Sequence, residues 1–89
     1  MTAQARPINV TATGTVQTGP CTYRGLSIGS TAGAAVVVYD NTSAAGTVLA
    51  SFTLAANGFQ HIDLADGARC EIGIHLTSSN PLQGHVRVG

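Results

Sequence analysis

Apolar and polar residues alternate along most of this chain, and no segment repeats with the period of a helix. The clearest case runs from Arg69 to Leu76, where Cys70, Ile72, Ile74 and Leu76 are apolar and the residues between them are Arg, Glu, Gly and His. Strict alternation is typical of a strand with one buried face. Turn residues interrupt the chain at intervals of roughly 8–12 residues. We therefore expect an all-β fold, a small antiparallel β-sandwich or barrel of about seven strands.

The expected strands lie between clusters of glycine, proline, asparagine and aspartate. They are residues 8–16, 21–28, 34–39, 47–54, 59–64, 69–76 and 83–88. Two dipeptides, Asn57-Gly58 and Asp66-Gly67, favour tight hairpin turns, so neighbouring strands are expected to pair antiparallel. The inward positions predict a core made of Ile8, Val10, Leu26, Ile28, Val36, Val38, Phe52, Leu54, Ile62, Leu64, Ile72, Ile74, Leu76, Val86 and Val88.

The chain is short and carries few charges. Its 89 residues allow one domain, and we expect a flexible arm at residues 1–6 and a single β domain at residues 7–89. Charged residues make up 9% and the net charge is zero, which argues against nucleic acid as a partner because phosphate binding needs a basic surface. No apolar run approaches the roughly 20 residues of a membrane span. Residues 1–7 lack the apolar segment of a secretory signal, so synthesis in the cytoplasm is expected.

The two cysteines are expected to be free thiols. Cys21 falls on the odd-numbered face of its strand, opposite Leu26 and Ile28, whereas Cys70 points inward. A disulfide is the alternative, and the loop that it would close is long. There is no Cys-x-x-Cys motif and no cluster of histidines, so the spacing typical of a zinc site is absent.

Residues that could carry chemistry are scattered along the chain. His61, His75 and His85 occupy outward positions of the last three expected strands, and they form a metal or pH-sensitive site only if those strands align. Asp63 and Glu71 are the one candidate pair of opposed carboxylates, but a domain of this size has little room for a glycosidase cleft and contains no Trp. No nucleophile elbow or phosphate-binding loop occurs. We therefore expect no enzymatic activity, no cofactor and no metal.

The composition favours a protein that packs against other subunits. The chain has many Thr, Ser, Gly and Ala residues, whose small side chains lose little entropy on burial. Residues 36–39, VVVY, are apolar on both strand faces, so Val37 and Tyr39 require a cover in a two-layer fold. A neighbouring copy, most simply in a closed trimer, provides one. The alternative is a monomer in which residues 1–9 fold over that face.

Several segments resemble the small structural proteins of tailed bacteriophages. They are YRGLSI (23–28), AAVVVYD (34–40), GTVLA (46–50), LAANG (54–58) and the closing GHVRVG (84–89). The resemblance covers about residues 21–89 and implies a role in the virion. The short length favours a capsid decoration (cement) protein, which sits on the outer surface of the shell and binds the major capsid protein. A tail or head–tail connector component is the neighbouring possibility.

The candidate contact residues for a partner or a second copy are Val37, Tyr39, Tyr23 and Arg24. A runner-up function of a different class is a carbohydrate- or receptor-binding β-sandwich module. Such a module is expected to expose aromatic side chains, and this chain has two Tyr, two Phe and no Trp.

Overall fold

Two four-stranded antiparallel sheets pack face to face in the computed structural model, which describes residues 6–89. The all-β sandwich expected from the sequence is confirmed. The strands are β1 (Arg6–Asn9), β2 (Gly14–Thr18), β3 (Cys21–Ser30), β4 (Ala34–Asp40), β5 (Thr47–Leu54), β6 (Gly58–Cys70), β7 (Gly73–Ser78) and β8 (Gln83–Val88). The expected arm at residues 1–6 lies outside the described residues except for Arg6, with which β1 begins.

Strand order differs from the expected series of hairpins. Sheet A has the order β1-β8-β3-β6 and sheet B the order β2-β7-β4-β5. Every pairing is antiparallel, but only β4 and β5 are both consecutive and paired. The other connections cross from one sheet to the other. Asn57-Gly58 forms a turn as expected, with Asn57 at φ 60°. This turn leads from β5 in sheet B to β6 in sheet A. The two sheets stack because each has an apolar face that the other covers.

Three boundaries differ from the expected ones. The expected strand 8–16 is divided into β1 and β2, which lie in different sheets, and Val10 is buried at the corner between them. Asp66-Gly67 does not form a hairpin but lies inside the long strand β6. Glu71 and Ile72 form the crossing between β6 and β7, so Ile72 is 49% exposed and its expected place in the core is wrong.

The core otherwise follows the sequence pattern. Leu26, Ile28, Val36, Val38 and ten other residues are buried between the sheets. Four further expected members are partly buried and pack against this cluster; they are Ile8, Phe52, Ile62 and Leu64. Tyr23, Ala34, Cys70 and Leu82 are buried as well, although they were absent from the expected core. Apolar burial across these two inner faces is the main stabilising contribution for a domain of this size.

An irregularity at Gly25 reverses the inward pattern of β3. Tyr23 pairs with Ala68 of β6, whereas Gly25 pairs with Asp63, so β6 contributes extra residues between these two positions. Gly25 has a φ of 111°, which L side chains rarely adopt. A shift of one residue moves side chains to the opposite face. Tyr23 therefore points inward together with Leu26, although the two residues differ in parity.

Asp40 holds the crossing between β6 and β7. Its carboxylate accepts hydrogen bonds from the backbone N–H groups of Glu71 (3.1 Å), Ile72 (3.1 Å) and Gly73 (3.4 Å). These hydrogen bonds hold the pKa of Asp40 below its usual value of 3.8. The bonds from Ile72 and Glu71 contribute most. The sequence presents Asp40 as an ordinary turn residue, because its three partners lie more than thirty positions away.

Replacing Gly25 tests the irregularity. We expect Gly25→Ala to destabilise the protein by about 3 kcal/mol or more, because the new Cβ overlaps the carbonyl of Ile62 at a φ that alanine avoids. Gly14→Ala is the matched control, since no atom lies within 4 Å of its Cβ position, and its effect is expected to stay within about 0.5 kcal/mol. Urea denaturation of both variants measures the difference. Equal stability of the two variants contradicts this reading of β3.

Replacing Asp40 tests how its carboxylate stabilises the crossing between β6 and β7. A folded-state pKa below the unfolded one stabilises the fold above the unfolded pKa, and this stabilisation is lost as the pH falls through the folded value. We expect Asp40→Asn to lower Tm at pH 7. The difference in Tm from wild type then narrows as the pH falls below about 4, the unfolded value, and through the lower pKa of the folded carboxylate. Asp66→Asn, at an exposed aspartate of β6, is the control and should leave Tm nearly unchanged. A gap of constant size from pH 7 to pH 2 contradicts the expectation.

Candidate interaction surfaces

The outer face of sheet B is assembled by the register of its four strands. Residues directly opposite each other on antiparallel strands share a face. Tyr39 of β4 lies between Val48 of β5 and His75 of β7, and Val37 lies between Ser51 and Thr77. We call this surface the sheet B face; its residues are Thr15, Ala35, Val37, Tyr39, Val48, Ser51, Thr53, His75 and Thr77. Val37 and Tyr39 therefore lie together on one outer face, as expected from the sequence.

No Asp, Glu or Arg side chain belongs to the sheet B face. The four arginines all lie on sheet A strands, and Asp63 and Asp66 lie on β6 of the same sheet. Asp40 caps the β6–β7 crossing and Glu71 is part of that crossing. All eight charged residues of the chain are thereby accounted for. The outer face of sheet B is thus neutral, and six of the eight charged residues lie on strands of sheet A.

Three polar side chains of the sheet B face, those of Thr15, His75 and Thr77, are bonded within the chain. Thr15 Oγ1 lies 3.1 Å from Nδ1 of His75 and donates to the carbonyl of Thr42 at 3.2 Å. Thr77 Oγ1 donates to the carbonyl of Val37 at 3.4 Å. Val48 remains 51% exposed. Covering such a face removes apolar surface from water, and it requires the partner to bond with the hydroxyl groups of Tyr39, Ser51 and Thr53.

The described part of the chain does not cover the sheet B face. Strand β1 pairs with β8 in sheet A, so residues 6–9 lie on the other layer of the sandwich. The alternative in which residues 1–9 fold over Val37 and Tyr39 is therefore wrong for residues 6–9. Residues 1–5 lie outside the described range.

Strand β5 forms an open edge beside this face. Within residues 6–89 it pairs with β4 alone. The other sheet edges carry features that discourage pairing with a further strand: β1 is four residues long and contains Pro7, β2 has an irregularity, and β6 has charged residues and extra length. The sequence of β5, TVLASFTL, contains neither a charge nor a proline. Strand β5 has an irregularity of its own opposite Val38 and Tyr39, but no charge or proline at this edge discourages an added strand.

On the outer face of sheet A, Arg87 organises a cluster of polar side chains. Its guanidinium donates to Ser27 Oγ at 2.9 Å and crosses β3 at Gly25 to reach the carbonyl of Ile62 on β6. Ser27 Oγ lies 2.6 Å from Nδ1 of His61, and Arg87 Nη1 lies 3.2 Å from Nε2 of His85. The absent side chain of Gly25 leaves the space that the guanidinium occupies. Arg87 thus ties the three strands β8, β3 and β6 together.

The three histidines do not form one site. His61 and His85 lie on either side of Ser27 on sheet A, whereas His75 lies on sheet B. No group of three or more His, Cys, Asp or Glu residues within 6–89 is arranged to hold a metal ion. The guanidinium of Arg87 next to His85 also disfavours a cation there. No helix in the described range is long and apolar enough to cross a membrane.

The remaining candidate contact residues, Tyr23 and Arg24, have internal roles. Tyr23 is fully buried, so its expected place at a contact surface is wrong; the irregularity at Gly25 turns it inward. Burial raises the pKa of Tyr23 to about 12. Arg24 donates to the carbonyl of Ala65 at 2.6 Å and thereby supports the extra residues of β6.

One aromatic side chain is exposed beside a depression. Phe59, at the start of β6, is 65% exposed. It borders a depression of about 210 Å³ whose other lining residues include Ser30, Thr31, Asn57 and Gln83. An exposed ring next to amide and hydroxyl groups is a combination that can stack on a small polar ligand and bond to it.

Comparison with known proteins leaves these surfaces without a counterpart. No protein-family model, no curated protein and no solved structure matches the chain. The chemistry of the two outer sheet faces therefore carries the functional conclusion.

Proposed function

We propose that the chain is a non-enzymatic structural protein of a bacteriophage virion, a capsid decoration protein. It binds the outside of the shell formed by the major capsid protein and stabilises that shell. The resemblance of residues 21–89 to small phage structural proteins supports this proposal. The observation that carries it is the neutral sheet B face, which is broad, holds Val37, Tyr39 and Val48, and is left uncovered by residues 6–89.

The proposed mechanism is adhesion. Small side chains such as Ser51, Thr53 and Thr77 lose little conformational entropy when a partner covers them. A neutral face also avoids the cost of removing charges from water. Each contact is then modest in affinity, but many copies on one shell act together because linked contacts raise the effective concentration of the others.

Self-association belongs to the same proposal. A domain of 89 residues buries a thin core, and association adds burial and stability. In the proposed homotrimer the sheet B face of each copy contacts a neighbour, with Val37, Tyr39 and Val48 at the contact. A closed threefold arrangement uses these surfaces without growing into a fibre, and icosahedral shells offer matching symmetry axes.

Light scattering on the purified protein tests the trimer. We expect a mass three times that of the 9.0-kDa chain. Val48→Arg places a charge on the sheet B face at an exposed position, so it should reduce the mass to that of one chain while the circular dichroism spectrum stays unchanged. Ile72→Arg is the matched control: Ile72 is exposed to a similar degree, 49% against 51%, but lies in the β6–β7 crossing. A wild-type mass of one chain contradicts the trimer.

Binding to shells tests the virion role. The probe is the shell assembled from the major capsid protein encoded in the same genome, and sedimentation separates bound from free chain. We expect wild type and Ile72→Arg to sediment with the shell, and Val48→Arg to lose at least tenfold in affinity, about 1.4 kcal/mol or more, because a variant that no longer forms the trimer binds the shell without linked neighbouring contacts. Binding to isolated tails but not to shells would instead assign the chain to the tail or the head–tail connector. If neither wild type nor Ile72→Arg sediments with the shell, the chain is not a decoration protein. If Val48→Arg and Ile72→Arg bind the shell equally, binding does not depend on the sheet B face.

A carbohydrate- or receptor-binding module is the second candidate, because Phe59 is exposed next to Asn57 and Gln83. On this alternative, neutral glycans of bacterial surfaces shift the amide resonances of residues 57–59 in an NMR titration, and Phe59→Ala weakens binding by about 1–2 kcal/mol through loss of stacking. Ile72→Ala serves as the control for a general loss of exposed apolar surface. The absence of any shift at millimolar glycan removes this candidate.

A further inference from the structure

The two cysteines face each other across paired strands. Cys21 at the start of β3 is the register partner of Cys70 at the end of β6. Side chains of directly opposed residues point to the same side of a sheet, so the two thiols are neighbours on one face of sheet A. The expected placement of Cys21 on the face opposite Cys70 is therefore wrong, and the irregularity at Gly25 is again the reason.

The spacing of the pair suits a covalent link. Opposed residues of antiparallel strands have Cα atoms about 4.5–5.5 Å apart, and disulfides form when this separation is about 4.4–6.8 Å. Both cysteines are free thiols in the structure. Cys70 is fully buried whereas Cys21 is partly exposed, so a dissolved oxidant reaches Cys21 first.

We propose that Cys21 and Cys70 form an oxidisable dithiol, which a low-molecular-weight disulfide such as oxidised glutathione converts into an intrachain disulfide. This inference does not depend on the proposed virion function. The structure corresponds to the reduced state, and closure requires little movement of the backbone because the strands already hold the two cysteines directly opposite each other.

The reaction proceeds by two exchanges. The Cys21 thiolate attacks one sulfur of oxidised glutathione, its S–S bond breaks, and the released glutathione thiolate takes up the proton that Cys21 lost. The Cys70 sulfur then attacks the Cys21 sulfur and expels the second glutathione, which takes up the Cys70 proton. Two electrons pass from the protein dithiol to oxidised glutathione, which leaves as two reduced molecules.

Both thiols are protonated at neutral pH, which makes the first exchange slow. Burial raises the pKa of Cys21. Burial is also the main reason that the pKa of Cys70 is raised to about 12, and the neighbouring Cys21 is the second. The thiolate is the attacking species, so the reaction is expected to take hours rather than seconds. Slow closure agrees with free thiols during synthesis in a reducing compartment.

The link would secure the weakest part of the β3–β6 pairing. Residues 21–23 pair with residues 68–70 beyond the irregularity, so this short ladder is separated from the longer one that follows Gly25. A disulfide there joins positions 21 and 70 and closes a long loop, which reduces the freedom of the unfolded chain. A rise in Tm on the order of 10 °C is expected for a domain of this size.

Incubation of the purified chain with oxidised glutathione at pH 8.5 tests the proposal. We expect a loss of about 2 Da in intact mass, for the two hydrogens removed. Thiol titration in denaturant should fall from two groups per chain to none, a peptide map should show Cys21 joined to Cys70, and Tm should rise. Dithiothreitol should reverse all four changes.

Cys21→Ser provides the control, because the position is partly exposed and serine is close in size. This variant should keep the wild-type Tm of the reduced protein, retain its Cys70 thiol and show no rise in Tm after the same treatment. Three wild-type results would each overturn the proposal: two thiols that still titrate, a single glutathione retained on Cys21, or a link between two chains.

Discussion

The irregularity at Gly25 determines which side chains of sheet A face the core. Before it, Cys21 and Tyr23 point inward; after it, Leu26 and Ile28 do, although the parity of the numbering has changed. The positive φ of Gly25 and its missing side chain make this change possible and leave room for the guanidinium of Arg87. The inward position of Tyr23, the placement of both cysteines on one face and the link from β8 across β3 to β6 all depend on this residue, whose φ of 111° suits glycine.

The alternation of residues predicts most strands and most of the core, because a half-buried strand needs little beyond its own pattern. Ile74 and Val86 are examples, each fully buried as expected. The sequence does not reveal features that depend on distant partners. Tyr23 is buried because β3 carries one extra residue against β8 at Gly25, and Asp40 accepts hydrogen bonds from a crossing more than thirty positions away. Neither contact is indicated by the residues next to Tyr23 or Asp40 in the sequence.

The candidate surface could be predicted in part. Val37 and Tyr39 are recognisable because residues 36–39 are apolar on both faces, and a two-layer fold buries one face only. The position of Val48 beside Tyr39 could not be predicted, because it depends on how β5 pairs with β4. That register shifts between Val38 and Tyr39. The neutrality of the whole face emerges only when the strands are placed, since the charged residues are spread along the sequence and lie on the strands of sheet A or at the β6–β7 crossing.

The strand order of sheet A also governs when the protein can fold. Strand β8 lies between β1 and β3, yet it follows every other strand in the chain. During synthesis β1 therefore has no neighbour in its sheet, and β3 has only β6, until residues 83–88 have left the ribosome. Pairings between segments so far apart in sequence form slowly because a long loop must close first. The complete sandwich thus forms only once residues 83–88 are free to pair, and the unpaired edges of β1 and β3 are exposed to neighbouring chains until then.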